Sequence, residues 1–146
     1  MVCVSSQQLA ERVSHVTTRL ARMLRQQDEG ELTLTFRAAL ATIERRGPLT
    51  LGDLAAIEHM APPTVTKVVT QLDERGLIQR TIDPDDRRVT RVSVSPAGAA
   101  LLAADRKRRT EWLAGELRRL SADERERLAA AVEVLEGLTS TEMQRA

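Results

Sequence analysis

Apolar residues recur at steps of three and four along several segments of this chain, a spacing that predicts amphipathic helices. The first helix is predicted to begin at Ser5-Ser6-Gln7-Gln8, where a serine followed three residues later by a glutamine forms a capping-box pattern. Its apolar stripe consists of Leu9, Val13, Val16, Leu20 and Met23. A second helix is predicted over about Thr33–Arg46, between the helix breakers Gly30 and Gly47-Pro48. Its predicted apolar side consists of Leu34, Ala38, Ala41 and Ile43, with Phe36 and Leu40 as further core candidates.

The middle of the chain predicts two short helices joined by a sharp corner. The first of them, Thr50–Glu58, begins with a capping box that Thr50 forms with Asp53. Pro62-Pro63 follows after a few residues, and proline is tolerated only in the first turn of a helix. A second helix is therefore predicted over Pro62–Arg75, with Gly76 closing it. The connection between the two helices is too short for anything but a tight turn.

The second of these helices has one apolar and one polar side. Its inward residues are predicted to be Val65, Val68, Val69 and Leu72. Its outward residues are then Pro63, Thr64, Thr66, Lys67, Thr70 and Gln71. Hydroxyl groups, an amide and one ammonium group near a helix N-terminus suit the base edges and phosphates of DNA. The same pattern is also that of a plain solvated helix face, so the helix alone does not decide between the two interpretations.

A β-hairpin is predicted to follow the second helix. Its strands are Leu77–Ile82 and Arg87–Val94, and the segment Asp83-Pro84-Asp85-Asp86 between them has strong turn chemistry. An arginine at a hairpin tip can enter a narrow minor groove, where the negative potential of DNA is focused. Asp86 lies two residues from Arg88 and could fix the direction of its side chain. The alternative is an exposed surface pair that contributes little.

Two further helices are predicted after the hairpin. Ser95-Pro96 starts a helix over about Ala97–Leu120, whose charged run Arg106–Arg109 is expected to be solvated or to pair with acidic neighbours. Ser121-Ala122-Asp123-Glu124 is a capping box that opens the last helix. The apolar stripe of that helix consists of Leu128, Ala131, Leu135 and Leu138. The narrow stripes of the two terminal helices could pack within one monomer or against a second copy across a two-fold axis.

The composition excludes several classes of protein. A chain of 146 residues with 42% hydrophobic residues and a formal net charge of +1 is expected to be one soluble domain. With no Tyr, one Phe and one Trp it lacks a platform for stacking single-stranded bases. His15, His59 and Cys3 form no metal-ligand pattern, so no metal and no cofactor are expected. No catalytic residues, signal peptide or membrane span are recognised, which predicts a cytoplasmic protein that is not an enzyme.

The middle of the chain resembles the MarR family of bacterial winged-helix regulators. The segments that carry the resemblance are Leu49–Ala55, Thr64–Val69, Leu72–Arg80, Asp83–Arg88 and the helix start Ser95–Gly98, and their order and spacing agree with the family over nearly the whole chain. The resemblance implies a mainly α fold with a small β-hairpin wing. It implies a single domain, in which residues 1–30 and 96–146 form a helical dimerisation frame and residues 31–95 form a winged helix-turn-helix DNA-binding lobe.

The family resemblance also implies a function. Members are homodimers that bind pseudo-palindromic double-stranded DNA near promoters, often as repressors, and many release DNA when a small aromatic effector binds. Carried over to this chain, the recognition-helix contacts fall on the six outward residues named above, and the wing contact falls on Arg88, with Asp86 orienting it and Arg87 beside it. His59 stands where the family often has glycine, and could be a turn residue, which is the favoured interpretation, or contact a phosphate. Ala61 stands where the family often has a capping serine. The loss of that hydroxyl and of two proline N–H groups is expected to weaken phosphate binding there.

Two other functions fit parts of the sequence. Residues 49–94 carry six Lys and Arg residues against seven Asp and Glu residues, so the winged helix could instead be a protein-protein interaction module. Some members of the family respond to thiol oxidation, which would make Cys3 the residue of a thiol-based redox sensor. Cys3 lies near the start of the chain and has no tyrosine available as a partner.

Overall fold

Within residues 5–143, the part of the chain that the computed structural model describes, six helices and three short strands follow one another. They are α1 (Ser6–Arg25), α2 (Leu34–Arg46), β1 (Leu49–Thr50), α3 (Leu51–Ile57), α4 (Pro62–Glu74), β2 (Ile78–Ile82), β3 (Thr90–Val94), α5 (Pro96–Leu117) and α6 (Ala122–Met143). Every predicted helix is present, and the predicted fold class, mainly α with a small β-hairpin wing, is confirmed. Cys3 lies outside the described residues.

The chain divides into two compact units. Gln26–Arg108 forms one unit, and the described parts of Met1–Arg25 and Arg109–Ala146 form the other. The first unit therefore contains the helix-turn-helix, the sheet and the beginning of α5. The second contains α1, the end of α5, and α6. No described helix is long and apolar enough to cross a membrane.

Local capping interactions fix where several helices begin. The Ser5 hydroxyl accepts from the backbone N–H of Gln8 at 3.2 Å. Thr50 accepts in the same way from Asp53 at 3.1 Å, and the Asp53 carboxylate accepts from the Thr50 N–H at 3.2 Å. A third box joins Ser121 and Glu124. All three predicted capping boxes are therefore confirmed, since each needs only residues three positions apart.

The hydrophobic core of the first unit is built around α4. All four residues predicted to face inward on that helix are buried, together with residues of α2, α3 and the sheet. The buried apolar residues are Ala39, Leu40, Ile43, Leu49, Leu54, Val65, Val68, Val69, Leu72, Leu77, Ile78, Val92 and Leu102. The prediction for Leu34 is wrong: its side chain is 57% exposed. Leu40 and Ile43 set the buried side of α2, and at about 100° per residue Leu34 lies on the opposite side.

The sheet has one strand more than the sequence predicted. Its order is β1-β3-β2, with both pairs antiparallel. In the additional pair, Leu49 lies opposite Val92 and Thr50 lies opposite Arg91. The returning strand also begins at Thr90 rather than Arg87, because the turn continues to Val89. A strand of two residues has no sequence period of its own, and here it overlaps the cap of α3.

A buried ion pair joins α2 to α5. The Arg37 guanidinium donates to the carboxylate of Asp105, and both side chains are almost completely buried. Arg37 also donates to the carbonyl oxygens of Leu32 and Glu29 in the segment before α2. Arg108 donates to the second oxygen of Asp105 at 2.6 Å. Such bonds on both charges offset the cost of removing them from water.

The charged run of α5 pairs with acidic residues, as one of the two interpretations of the sequence predicted. Arg106 binds both carboxylate oxygens of Glu44, at 2.8 and 3.2 Å. This contact lowers the pKa of Glu44. With Arg108 held by Asp105, at least two of the four basic residues of the run form ion pairs with acidic residues of this unit.

The helices of the second unit expose their apolar stripes. No described side chain of α1 or α6 is buried. The large exposed apolar residues on these two helices are Leu9, Val16, Met23, Leu128, Val132, Val134 and Leu138. A groove of about 260 Å³ runs between them, lined by Leu9, Arg12, Val13, Val16, Thr17 and Leu135. Packing within one chain therefore leaves most of both stripes uncovered.

The turn between α3 and α4 contains a left-handed residue. His59 has a φ of +51°, the one positive φ of a non-glycine residue in the described chain. The N–H of Met60 then bonds the Ala55 carbonyl oxygen at 3.0 Å, which closes the end of α3. Ala61 is the N-cap of α4 and makes no side-chain cap. His59 therefore acts as a turn residue, where glycine would adopt the same backbone angles with less strain.

Replacing His59 with Gly should stabilise the protein. Glycine relieves the left-handed strain but loses more backbone entropy on folding. The net effect is expected to be an increase of about 0.5–1 kcal/mol in the free energy of unfolding. His59→Val should lower it, because β-branched residues tolerate positive φ poorly. Thermal or urea unfolding measures both. Ala56→Gly, at an exposed helical position nearby, is the control and should destabilise; equal effects of the two glycine substitutions would contradict a strained turn.

Candidate nucleic-acid interface

The surface of α4 that faces away from the core is polar and accessible. Five of the six residues predicted to face outward are exposed, and the sixth, Gln71, is half-buried. They are Pro63, Thr64, Thr66, Lys67, Thr70 and Gln71. Because the opposite side of the helix is buried in the core, the side chains at these positions point into solvent. We refer to this set as the α4 face.

The polar groups of the α4 face differ in which hydrogen bonds they have left to make. The Thr66 hydroxyl donates to the Pro62 carbonyl oxygen at 3.0 Å, so it can still accept a bond and presents its methyl group. The Gln71 amide oxygen accepts from Arg75 at 3.3 Å, which leaves its NH₂ group to donate. The exposed ammonium group of Lys67 has no ion-pair partner among the described residues.

Two acidic residues beside α4 are paired with arginines. At the end of the helix, Asp73 accepts from the Arg80 Nε of β2 at 2.7 Å. At the base of the wing, Asp83 accepts from Arg91 at 2.6 Å. The slight excess of acidic residues in this segment therefore does not produce a uniformly negative surface. Net charge is a weaker guide here than the pairing of individual groups.

The wing tip carries an exposed arginine held in place by its neighbour. Both oxygens of the Asp86 carboxylate bind the Arg88 guanidinium, at 3.1 and 3.2 Å. The backbone N–H of Arg88 donates to the same carboxylate at 3.0 Å. The Arg88 side chain nevertheless remains 90% exposed. The predicted pairing of these two residues is thus confirmed, and Arg87 lies exposed beside them.

The base of the wing is built on Asp83, for which the sequence predicts only a place in a turn. Its buried carboxylate accepts from the backbone N–H groups of Asp85 and Asp86 and from Arg91 Nε. The Arg91 contact lowers the pKa of Asp83 and raises that of Arg91. An aspartate at a turn that bonds N–H groups two and three residues on is an Asx turn, which is visible in sequence. The contact with Arg91 across the hairpin is not.

Together these features define the class of protein. Two helices at a sharp turn, an exposed polar face on the second of them, and a hairpin with an arginine at its tip make up a winged helix-turn-helix. The MarR family model matches residues 32–90. An HTH-type transcriptional regulator of Mycobacterium leprae is 37% identical over 132 residues, which cover 90% of this chain and 92% of the relative. The chain therefore belongs to the MarR family and is a transcriptional regulator, not an enzyme.

Solved structures agree with this assignment. A protein of Pseudomonas aeruginosa, described as a candidate transcriptional regulator, is 34% identical and superposes with a TM-score of 0.82, covering 92% of this chain and 97% of the other. A mutant of MepR from Staphylococcus aureus, solved bound to an oligodeoxyribonucleotide, has a TM-score of 0.65 at 24% identity, with 92% and 98% of the chains covered. The second likeness shows the fold alone.

Removing the arginine of the wing tip should change the titration of its partner. The Arg88 side chain is the main cause of the lowered pKa of Asp86, and the backbone N–H of the same residue adds to it. Arg88→Ala should therefore raise the pKa of Asp86 towards its ordinary value of about 3.9. Carboxyl ¹³C shifts measured against pH follow this change.

The pKa of Asp53, which Thr50 lowers, serves as the internal reference and should not move. Because the pKa of Asp86 is lowered in the folded protein, the stabilisation from this pair is present at neutral pH and is lost as the pH falls through the lowered value. An identical Asp86 titration in both proteins would mean that the guanidinium does not bind the carboxylate in solution.

Proposed function

We propose that this protein is a homodimeric, sequence-specific regulator that binds double-stranded DNA through the α4 face and the wing. The observation that carries the proposal is the arrangement at these two places. The α4 face is exposed and polar, and no unpaired acid lies on the helix before its end. Beside it lies a hairpin whose tip presents an arginine that is already oriented by its neighbour. A helix of this kind fits the major groove, and an arginine at the tip of a hairpin fits the adjacent minor groove.

Each part of the surface has its own task on DNA. On the α4 face, the hydroxyl and amide groups would contact base edges, while Lys67 supplies charge for a phosphate. Arg88 would enter the minor groove with Asp86 keeping it extended, and Arg87 would lie at the phosphates. Ala61, Pro62 and Pro63 offer neither a capping side chain nor proline N–H groups, so we assign phosphate binding mainly to side chains rather than to the start of α4.

The exposed stripes of α1 and α6 support the homodimer. Val16 and Leu138 are 60% and 65% exposed in the single chain, and the groove between the two helices is largely apolar. A second copy would cover these residues, since contiguous apolar surface of this kind marks an interface. The dimer would present two α4 helices to successive major grooves, about 34–36 Å apart for half-sites one turn apart.

Repression and its release follow from the same geometry. A dimer on a pseudo-palindrome near a promoter blocks the polymerase, and MepR provides an example of a structurally similar protein that binds DNA. A small aromatic effector would act by favouring a dimer in which the spacing of the two α4 helices no longer matches the DNA repeat. The family resemblance supports this part of the proposal. Such a regulator would work in the cytoplasm.

Selection from a random duplex library, followed by sequencing at two salt concentrations, tests the proposal directly. We expect an enriched inverted repeat, with affinity that falls steeply as salt increases because bound phosphates release counterions. The spacing of the half-sites then tests the dimer geometry. Weak binding without sequence preference would contradict the proposal and favour a protein-binding module.

Arg88→Ala should weaken binding to the selected operator by about tenfold, because one groove contact and its charge are lost. The slope of affinity against salt should decrease by about one ion in magnitude. Fluorescence anisotropy measures both. The control is Arg127→Ala, which removes the same charge from an exposed pair on α6, a helix that is not part of the proposed DNA surface. If both variants bind alike, the wing has no part in recognition.

Charged residues on the α6 stripe should abolish the dimer. The variant is Leu128→Glu with Leu138→Glu. Both side chains are exposed in the single chain, so the two substitutions should hardly change the stability of the monomer. Burial of two carboxylates at an interface, by contrast, is costly. Light scattering coupled to size exclusion should show a monomer for this double variant. Glu126→Gln and Glu133→Gln, on the same helix, form the control and should leave the mass unchanged. A dimer that survives the two glutamates would place the interface elsewhere.

A further inference from the structure

We propose that Arg75 is a specificity-positioning residue, which holds the side-chain amide of Gln71 in one orientation. In that orientation Gln71 contacts acceptor atoms on the edge of a base pair and prefers guanine to adenine. The proposal rests on the DNA binding proposed above. It concerns Arg75, a residue at the end of the helix that belongs to neither the α4 face nor the wing.

The geometry fixes Arg75 from two sides. Arg75 is the C-cap of α4, and its backbone N–H bonds the Gln71 carbonyl oxygen at 3.2 Å. Its guanidinium lies over the ring of Phe36, 5.6 Å from the centroid, an arrangement that favours a cation. From there NH1 reaches the side-chain oxygen of Gln71 at 3.3 Å. The half-buried ring belongs to α2 and packs against the core of the first unit, so that core helps to set where the guanidinium lies.

The chemistry of arginine then determines which end of the amide faces outward. A guanidinium has only donors, so the part of Gln71 directed at Arg75 must be its oxygen. The NH₂ group of Gln71 is left to point away from Arg75 with two donors. A free glutamine uses both ends of its amide on adenine, accepting from N6 and donating to N7. Because the oxygen is turned towards Arg75, the NH₂ group is the end that meets the base pair, and the better partner is guanine, whose O6 and N7 are both acceptors.

Thr66 provides an internal comparison on the same helix. Its hydroxyl proton is used by the Pro62 carbonyl oxygen, so Thr66 presents an acceptor where Gln71 presents donors. Among the described residues, no hydrogen bond joins Thr66 to Arg75. A change in Arg75 should therefore alter the base preference opposite Gln71 and leave the preference opposite Thr66 as it was.

The test is selection and sequencing with four full-length proteins: wild type, Arg75→Met, Gln71→Ala and the double variant. Methionine keeps much of the length of the side chain and removes its donors and charge. For the wild type we expect guanine over adenine by about fivefold or more at the position that loses its preference in Gln71→Ala. In Arg75→Met the freed amide should shift that ratio towards adenine. In the Gln71→Ala background, the same Arg75 substitution should change no base preference.

A second measurement examines the free protein. Relaxation of the Gln71 side-chain ¹⁵N should show a more mobile amide in Arg75→Met than in the wild type, and Phe36→Leu should have a smaller effect in the same direction. This readout needs no DNA, so it separates the positioning of Gln71 from the proposed function as a whole.

Several results would overturn the proposal. A uniform loss of affinity in Arg75→Met, with a smaller salt dependence and the same base preferences, would make Arg75 a phosphate contact only. A preference shift that persists in the double variant would show that Arg75 acts on the bases without Gln71. A library in which the wild type enriches no repeat would remove the DNA-binding function, whereas an enriched repeat without the expected shift would remove only the role of Arg75.

Discussion

The burial of one side of α4 is the constraint on which the rest of the Gln26–Arg108 unit depends. Val65, Val68, Val69 and Leu72 are all within a few per cent of complete burial. Each such side chain contributes roughly 1.5–3 kcal/mol relative to an exposed one. A helix so anchored cannot rotate about its axis without losing several of these contacts together. The direction of every polar group on the opposite side is therefore fixed by residues that would never touch a ligand.

The electrostatics depend on a second feature, which is that three acids near the polar surface are each paired with an arginine nearby. Asp73, Asp83 and Asp86 each hold an arginine. Two of these contacts brace the wing, and the third extends Arg88 into solvent. Arginine suits such pairs, because its planar group can bind a carboxylate with one edge and keep other donors free. In this way a segment with almost no net charge can still present an exposed arginine at the tip of the wing.

Much of the fold could be predicted from the sequence, because its signals are local. Capping boxes join residues three apart, the inward positions of α4 repeat at steps of three and four, and Asp86 lies two residues from Arg88. The positions of the α4 face follow from the same periodicity. Their accessibility is now established, while their contact with DNA remains a proposal.

The features that could not be predicted depend on residues distant in the chain. Arg37 and Asp105 are 68 positions apart, and neither stands out within its own helix. The strand β1 exists only because β3 pairs with it, and Arg75 reaches the ring of Phe36 from the far end of another helix. The wrong prediction for Leu34 has the same cause. This apolar residue in the first turn of α2 fits the spacing in the sequence, but which side of α2 is buried depends on packing against distant residues.

One residue, Thr50, belongs to both the sheet and the helix-turn-helix. It lies opposite Arg91 in the sheet, and its side chain caps α3. Arg91 in turn holds Asp83 at the base of the wing. A displacement of the hairpin would therefore disturb the start of α3, and a displacement of α3 would disturb the hairpin. Mechanically, the start of the helix-turn-helix and the base of the wing are therefore coupled through Thr50 and Arg91, so that a motion of either one carries the other with it.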